Sequence, residues 1–180
     1  MDKALAKAIE KLRVVSAATV ATALFKRGLR QQVIQGVHPV QKDHPEQYAR
    51  TPRNMVGPAF TLRYMPARED RNQITEFLNP HHPQRQAIEQ CPEGYVLVMD
   101  SRKEARAASA GDIILGDADC VIVIPADIAT DIADEATEMT AYEDFVAEKV
   151  REGVSIIGLY PCTQDDYRQA FAAWRKAHNR

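Results

Sequence analysis

The stretch RAASAGDIILGDADCVIVIPADIA, residues 106–129, holds two Gly-Asp pairs, Gly111-Asp112 and Gly116-Asp117, with only Ile113, Ile114 and Leu115 between them. A Gly-Asp pair favours a turn, because glycine accepts positive φ and aspartate bonds its own backbone two residues on. Each pair therefore punctuates a buried strand. Two organisations satisfy this pattern. Either the stretch is one compact β-turn-β unit, or two turns from distant parts of a larger fold have been joined.

Working outward, CVIVIP (120–125) and YVLVMD (95–100) are short continuous apolar runs bounded by turn residues. That character predicts two interior strands of one sheet, covered on both faces. Residues 38–58 are rich in Pro, His and charge and read as a loop. Gly57-Pro58 closes it and launches AFTLRYM, where Phe60, Leu62 and Tyr64 alternate with Ala59, Thr61 and Arg63, a strand with one buried face. Ala4, Leu5, Ala8, Ile9 and Leu12 recur at helical spacing. Ser16 offers an N-cap to a second helix, AATVATALFKR, and Gly28 a left-handed stop. Pro83 can open a short helix, QRQAIEQC. From Ala126 to about Glu152 runs the clearest helix, with Ile128, Ile132, Ala136, Met139, Tyr142, Val146 and Val150 on one stripe. Its other side carries Asp127, Asp131, Asp134, Glu135, Glu138, Glu143, Asp144 and Glu148, read as a solvated face or a surface for a basic partner. Thr163 with Asp166 resembles a capping box, and Tyr167, Phe171 and Trp174 form an aromatic docking stripe.

With 180 residues and an apolar fraction of 45%, the chain is long enough for one domain with its own core. A net charge of −2 supplies no basic field for a nucleic-acid backbone, so direct nucleic-acid binding is not expected. Cys91, Cys120 and Cys162 are odd in number and widely spaced, which predicts reduced, mostly buried thiols. The charged first dozen residues carry no leader pattern, and no run approaches the ~20 apolar residues of a membrane span. A cytoplasmic location is the expectation.

Several groups are candidates for chemistry. His81 and His82 are adjacent, but no third ligand stands at metal spacing. Asp112, Asp117 and Asp119 could suit a hard cation, although aspartates beside strands are usually turn formers. Arg102, Lys103 and Arg106 follow a strand, where α/β sheets gather ligands, so they could grip a carboxylate or simply be solvated. No phosphate loop and no nucleophile–base pair is present. The residues alone reach a soluble α/β domain.

Five segments, in order, resemble the RraA-like family: VSAATVATALFKRGL (15–29), MVGPAFTLRYMPARED (55–70), EGYVLVMDSRKEARAASAG (93–111), residues 116–136 with their TDIADEA, and TAYEDFVAEKVREGVSIIGLYP (140–161). That family includes regulators of ribonuclease activity, 4-hydroxy-4-methyl-2-oxoglutarate aldolases and oxaloacetate decarboxylases. The resemblance implies an α/β fold of layered α/β/α type with swivelling β/β/α topology, over a single domain at 1–180. Residues 1–110 would be its N-terminal part, 111–160 the C-terminal strand and long helix, and 161–180 an added helical tail. It also implies a homo-oligomer, trimer or hexamer, with sites at subunit contacts.

The departure from the family pattern matters as much. In relatives, a strand and a Gly-x-x-x-Arg-Asp type motif separate the two turns; the Arg holds the substrate carboxylate and the Asp the metal. Here the first Gly-Asp runs straight into the second, which implies an internally truncated domain with its junction near Gly111. The family implies a divalent cation, Mg²⁺ or Mn²⁺, yet no metal ligand is identifiable in this sequence, and ARED (67–70) lies in a different loop. Carried over from the family's substrate loop are Gly111, Asp112, Ile113 and Ile114, whose backbone N–H groups would face a small 2-oxo-acid substrate if Gly111 opens a helix. The expected function is that of a relative of metal-dependent 2-oxo-acid lyases, weak or inactive without the Arg-Asp pair. The alternative is a noncatalytic regulator that binds a ribonuclease.

Overall fold

The computed structural model describes residues 2–37, 54–64, 70, 71, 75, 78–100 and 108–180. Along them run α1 (Lys3–Leu12), α2 (Ala17–Lys26), β1 (Val33–Ile34), β2 (Met55–Arg63), α3 (Pro83–Gln90), β3 (Val96–Asp100), β4 (Ile113–Gly116), β5 (Val121–Ile124), a 3-10 turn (Ala126–Ile128), α4 (Ala129–Arg151) and α5 (Asp165–His178). The result is a mixed α/β fold with a five-stranded sheet in the order β1-β5-β4-β2-β3. Only β2 and β3 run parallel; the other pairs are antiparallel.

β4 and β5 form one hairpin in the register Ile113↔Ile124 to Gly116↔Val121. The stretch therefore folds as a compact β-turn-β unit, an arrangement that two joined turns would also produce. Its turn is built by Asp117, whose Oδ1 accepts the amides of Asp119 at 2.9 Å and Cys120 at 3.1 Å. The other oxygen, Oδ2, accepts the amide of Ala17 at 2.7 Å, an otherwise orphan donor in the first turn of α2. One carboxylate thus shapes the hairpin and fixes a helix to it. Ser16 caps the same helix as its sequence predicts, accepting from the Thr19 amide at 3.1 Å. Gly28, at φ 81°, follows its end.

Side chains alternate across the hairpin with period two. Ile113, Leu115, Ile122 and Ile124 face α1, α2 and α4 in the main core, with Ile9, Leu12, Val20, Leu24 and Ile132. Ile114 and Val123 point the other way, onto Ala59 with Val96 and Val98. Because both faces are used, the apolar run at 113–115 has no polar interruption. A separate cluster joins α4 to α5 through Phe145, Val146, Leu159 and Trp174, with Tyr142, Tyr167 and Phe171 packed against it. Trp174 Nε1 donates to Glu148 Oε2 at 2.9 Å, so the docking stripe is as expected.

Several expectations need correction. β2 starts at Met55, not after Pro58, and its most buried part is Val56–Ala59. It pairs with β4 as far as Pro58↔Ile113 and with β3 from Ala59↔Val96 onward. Pro58 lacks an N–H, so it sits where the strand changes partner rather than in mid-ladder. β3 is an edge strand and not an interior one, and none of its residues is fully buried. A continuous apolar run carries no period, so it cannot report whether a second neighbour exists. α5 begins at Asp165 after Gln164, with no side-chain cap, while the Thr163 hydroxyl donates to the Gly158 carbonyl at 3.4 Å. The three cysteines are free but half-buried rather than mostly buried. Of the polar loop expected at 38–58, residues 38–53 lie outside the described residues.

Two substitutions test this architecture. A Cβ on Gly57 would stand 2.3 Å from the carbonyl oxygen of Gly94, which is backbone and cannot swing aside. Gly57→Ala is expected to cost about 3 kcal/mol in a urea titration, at the upper end for overpacking. Asp117→Ala removes the acceptor for three amides and should lower stability by roughly 1–2 kcal/mol, the range for a lost cap. Asp117→Asn, which keeps one oxygen, should fall between.

Candidate functional site

The carboxyl ends of the parallel pair β2–β3 are where a sheet of this kind would gather a ligand. Arg63 Nε donates there to Asp100 Oδ2 at 3.2 Å, and the Tyr64 amide donates to the Asp100 carbonyl at 3.0 Å. The pair is exposed, so its energetic weight is small. Arg102, Lys103 and Arg106, and residues 67–69 of ARED, lie outside the described residues.

Gly111 does not open a helix. It lies in a turn at φ 93° that leads directly into β4. Its amide donates to the Ala59 carbonyl at 3.0 Å, and the Asp112 amide donates to the Ser109 carbonyl at 3.1 Å. The Asp112 carboxylate is also engaged: Oδ2 accepts the Ser109 amide at 2.9 Å and Oδ1 the Ala126 amide at 3.3 Å. Ile113 and Ile114 are fully buried on opposite faces of the sheet. The four candidate substrate-loop residues are contiguous, but the Gly111 amide is bonded to β2 at Ala59 and the Asp112 amide into the turn at Ser109. Asp112 works as a brace between that turn and the start of the helical segment at Ala126.

The carboxylates do not converge into a cation centre. Asp112 and Asp117 stand at opposite ends of β4, about 16 Å apart along the strand at roughly 3.3 Å per residue. Both oxygens of each accept backbone amides. His82 Nδ1 caps α3 by accepting the Gln84 amide at 3.3 Å, and the neighbouring His81 amide donates to Asn79 Oδ1 at 2.9 Å. Among the described residues, no three His, Cys, Asp or Glu side chains are grouped to hold a metal. These donors do not fit the divalent ion that the resemblance implies. Cys120 is no better placed as a nucleophile: burial, then the charges of Asp117 and Asp119, push its thiol up and disfavour the thiolate.

The acidic side of α4 stays largely exposed, but several of its carboxylates are paired within the chain. Asp134 pairs with Lys11 of α1, and Glu135 with Lys26, at 3.1 Å, and Arg27. Glu138 holds both arms of the Arg175 guanidinium, at 2.6 and 3.0 Å, and Asp144 pairs with Arg180. Burial works to raise the Glu135 carboxyl, but hydrogen bonds and charge from Arg27 and Lys26 outweigh it and leave it below its ordinary value. The face read as solvated, or as a surface for a basic partner, is indeed exposed at Asp131, Asp134, Glu138 and Asp144, and its paired members also fasten α1, α2 and the C-terminal residues to α4.

Between α2, α4 and the segment leading into α5 lies a cavity of about 410 Å³. Its walls include Met139, Tyr142, Tyr160 and Phe171, with Lys26, Glu135, Glu138 and Glu143 contributing charge. Tyr142 stacks on Tyr160 with ring centroids 6.3 Å apart and meets Phe171 edge-on at 4.9 Å. Its hydroxyl donates to the Leu159 carbonyl at 2.5 Å. Burial, reinforced by Cys162, pushes that hydroxyl up, so it stays protonated and is not a general base. Sequence reading missed this cavity. The stripe through Met139 and Tyr142 announced an apolar face, but nothing in its period told that α5 leaves part of that face uncovered.

The family profile described as RraA-like, Aldolase/RraA, matches residues 17–120. No curated protein matches the chain. Among solved structures, the chain is similar to an uncharacterized protein from Pseudomonas syringae pv. tomato, with 13% identity, a TM-score of 0.65, and coverage of 86% of this chain and 93% of that one. A structure from a study of novel cellulases from microbes associated with the gut ecosystem shares 14% identity at a TM-score of 0.55, covering 80% and 87%. RraAS2 of Streptomyces coelicolor, described as an unusual member of the RNase ES inhibitor RraA protein family, shares 17% identity at a TM-score of 0.51, covering 79% and 98%. At such identities the likeness is one of fold. Taken with a profile match over more than half of its length, the shared architecture leads to one conclusion: the chain belongs to the RraA-like family.

Proposed function

We propose that this chain is a single RraA-like domain over 1–180 from the lineage of 4-hydroxy-4-methyl-2-oxoglutarate aldolases and oxaloacetate decarboxylases, and that its own lyase turnover is weak or absent. The observation that carries this reading is the turn at Gly111–Asp112. Cleavage of a 2-oxo acid builds an enolate, which needs donors aimed at the developing charge. Here the amides of Gly111 and Asp112 are spent on Ala59 and Ser109, and the Asp112 carboxylate on two further amides. A 2-oxo acid at Gly111, Asp112, Ile113 and Ile114 would have to displace these bonds before gaining any. The directness with which that turn enters the β4–β5 hairpin supports a middle segment lost near Gly111. Among the described residues β3 pairs on one side only, and exposed Met99, with Tyr95 just before the strand, supports assembly into trimers or hexamers, because an apolar sheet edge is a liability in isolation.

A noncatalytic regulator of ribonuclease activity is the second reading, supported by the fold shared with RraAS2. The pairing of Glu135 and Glu138 with the chain's own Lys26, Arg27 and Arg175 weighs against the acidic side of α4 as its docking surface. As for location, no helix among the described residues is long and apolar enough to cross a membrane.

Pyruvate release from oxaloacetate and from 4-hydroxy-4-methyl-2-oxoglutarate, followed with and without Mg²⁺, tests the proposal. The expected rate stays close to the uncatalysed one in both conditions. Robust turnover abolished by EDTA would overturn it. The internal role of the acids has its own test in Glu135→Gln. Because the folded carboxyl of Glu135 lies below its unfolded value, its stabilisation is present above the unfolded value and disappears as pH falls through the folded one. The variant should therefore be about 1 kcal/mol less stable at neutral pH, and the gap to the parent should close in acid. Chemical denaturation across that range checks the sign.

A further inference from the structure

We propose that the cavity between α2, α4 and α5 binds a small organic ammonium ion that carries an apolar or aromatic group. The charged groups along its wall differ in one respect. Glu135 is neutralised by Lys26 and Arg27, and Glu138 by the fork of Arg175. Glu143 has no cation partner among the described residues. Its one recorded bond is from the Thr19 hydroxyl, which donates to Oε2 at 2.8 Å and leaves Oε1 over. That bond also orients the carboxylate. Thr19 is itself held by Ser16, whose Oγ lies 2.8 Å from Thr19 Oγ1 and accepts the Thr19 amide at 3.1 Å. Since the Thr19 hydroxyl donates to Glu143, Ser16 is the donor in the first contact. A relay from the cap of α2 therefore fixes a half-buried negative charge at the cavity wall.

The remaining lining matches the same ligand. Tyr142 and Tyr160 present aromatic rings. Phe171 already carries the Arg175 guanidinium 5.8 Å from its ring centre, and Met139 Sδ already accepts from Lys26 Nζ at 3.4 Å. This wall therefore attracts cations, and Glu143 with the two tyrosines is what remains for a ligand. Ring faces carry negative potential and attract cations, most strongly where water is scarce. A half-buried carboxylate without a counter-charge favours a cation for the same reason. At about 410 Å³ the space suits a small molecule, within the usual range for such pockets. A bare divalent metal does not suit it, because a single carboxylate among aromatic rings lacks the several oxygen ligands such an ion takes. An anion does not suit it either, since Lys26 and Arg175 are committed to Glu135 and Glu138. The cavity lies mostly in residues after 120, beyond the segment that matches the family. Its ligand is thus independent of whether lyase activity survives.

Calorimetric titration of the full chain with benzylammonium, beside neutral benzyl alcohol of similar size, provides the test. Saturable one-to-one binding of the cation is expected, with the alcohol weaker by at least about tenfold. Glu143→Gln keeps an acceptor for Thr19 while removing the charge, and should weaken the cation by about tenfold, roughly 1.4 kcal/mol, with little change in Tm. Tyr160→Ala alters an exposed ring outside the buried clusters and should weaken binding several-fold, so the proposal stays testable should the first variant fold poorly. No saturable binding at millimolar benzylammonium, equal binding of the alcohol, or unchanged affinity in both variants would each overturn it.

Discussion

Ile113, Ile114, Leu115 and Gly116 are buried on both faces and paired on both edges, to β2 on one side and β5 on the other. Ile113 and Leu115 supply the helix-covered core, Ile114 the opposite one. β5 shares this two-sided burial and pairs with β1 and β4, but β4 is the strand that joins that antiparallel half to β2, which changes partner at Pro58. The aspartates that flank this strand extend its influence. Asp112 ties its entry to Ala126, and Asp117 ties its exit to Ala17. A four-residue strand thus sets the position of both the long helix and α2. That position in turn decides which amides are free to meet a ligand.

The same economy governs charge. Eight carboxylates on and before α4 look, in one dimension, like a field awaiting a basic partner. In three dimensions α1, α2 and the C-terminal residues bring Lys11, Lys26, Arg27, Arg175 and Arg180 to meet four of them, Asp134, Glu135, Glu138 and Asp144. Each exposed pair contributes little, about 0.2–1 kcal/mol, but together they favour one docking register for helices that apolar contact alone would leave free to slide. Glu143 stands apart because its neighbour is a hydroxyl and not a cation. The difference between an acid that closes the fold and one that offers itself to a ligand is therefore set by what lies across from it.

Local signals were read well wherever the physics is local. The cap at Ser16, the stop at Gly28, Pro83 at the start of α3 and the period of α4 depend on residues within a turn or two of one another. Reading failed where the decisive neighbour was distant. YVLVMD reads as interior because it is apolar throughout, yet among the described residues β2 alone flanks it. Gly57-Pro58 reads as a loop end, because nothing nearby in the chain reveals that Gly94 approaches Gly57 so closely that a side chain there cannot fit. Asp112, Asp117 and Asp119 were grouped by proximity in the chain, whereas an extended strand carries the first two far apart.

By itself the sequence determined the class of fold, most of the helix boundaries and the family, since these rest on periodicity, caps and ordered motifs that need no knowledge of what packs where. The tertiary structure alone decided that the two Gly-Asp turns bracket one strand of a hairpin, that the Gly111 and Asp112 amides are bonded within the fold, and that Glu143 lines an aromatic cavity with no cation partner among the described residues. Each of those facts is a relation between groups remote in sequence. A chain specifies such relations only through the sheet register and helix docking that bring the groups within bonding distance.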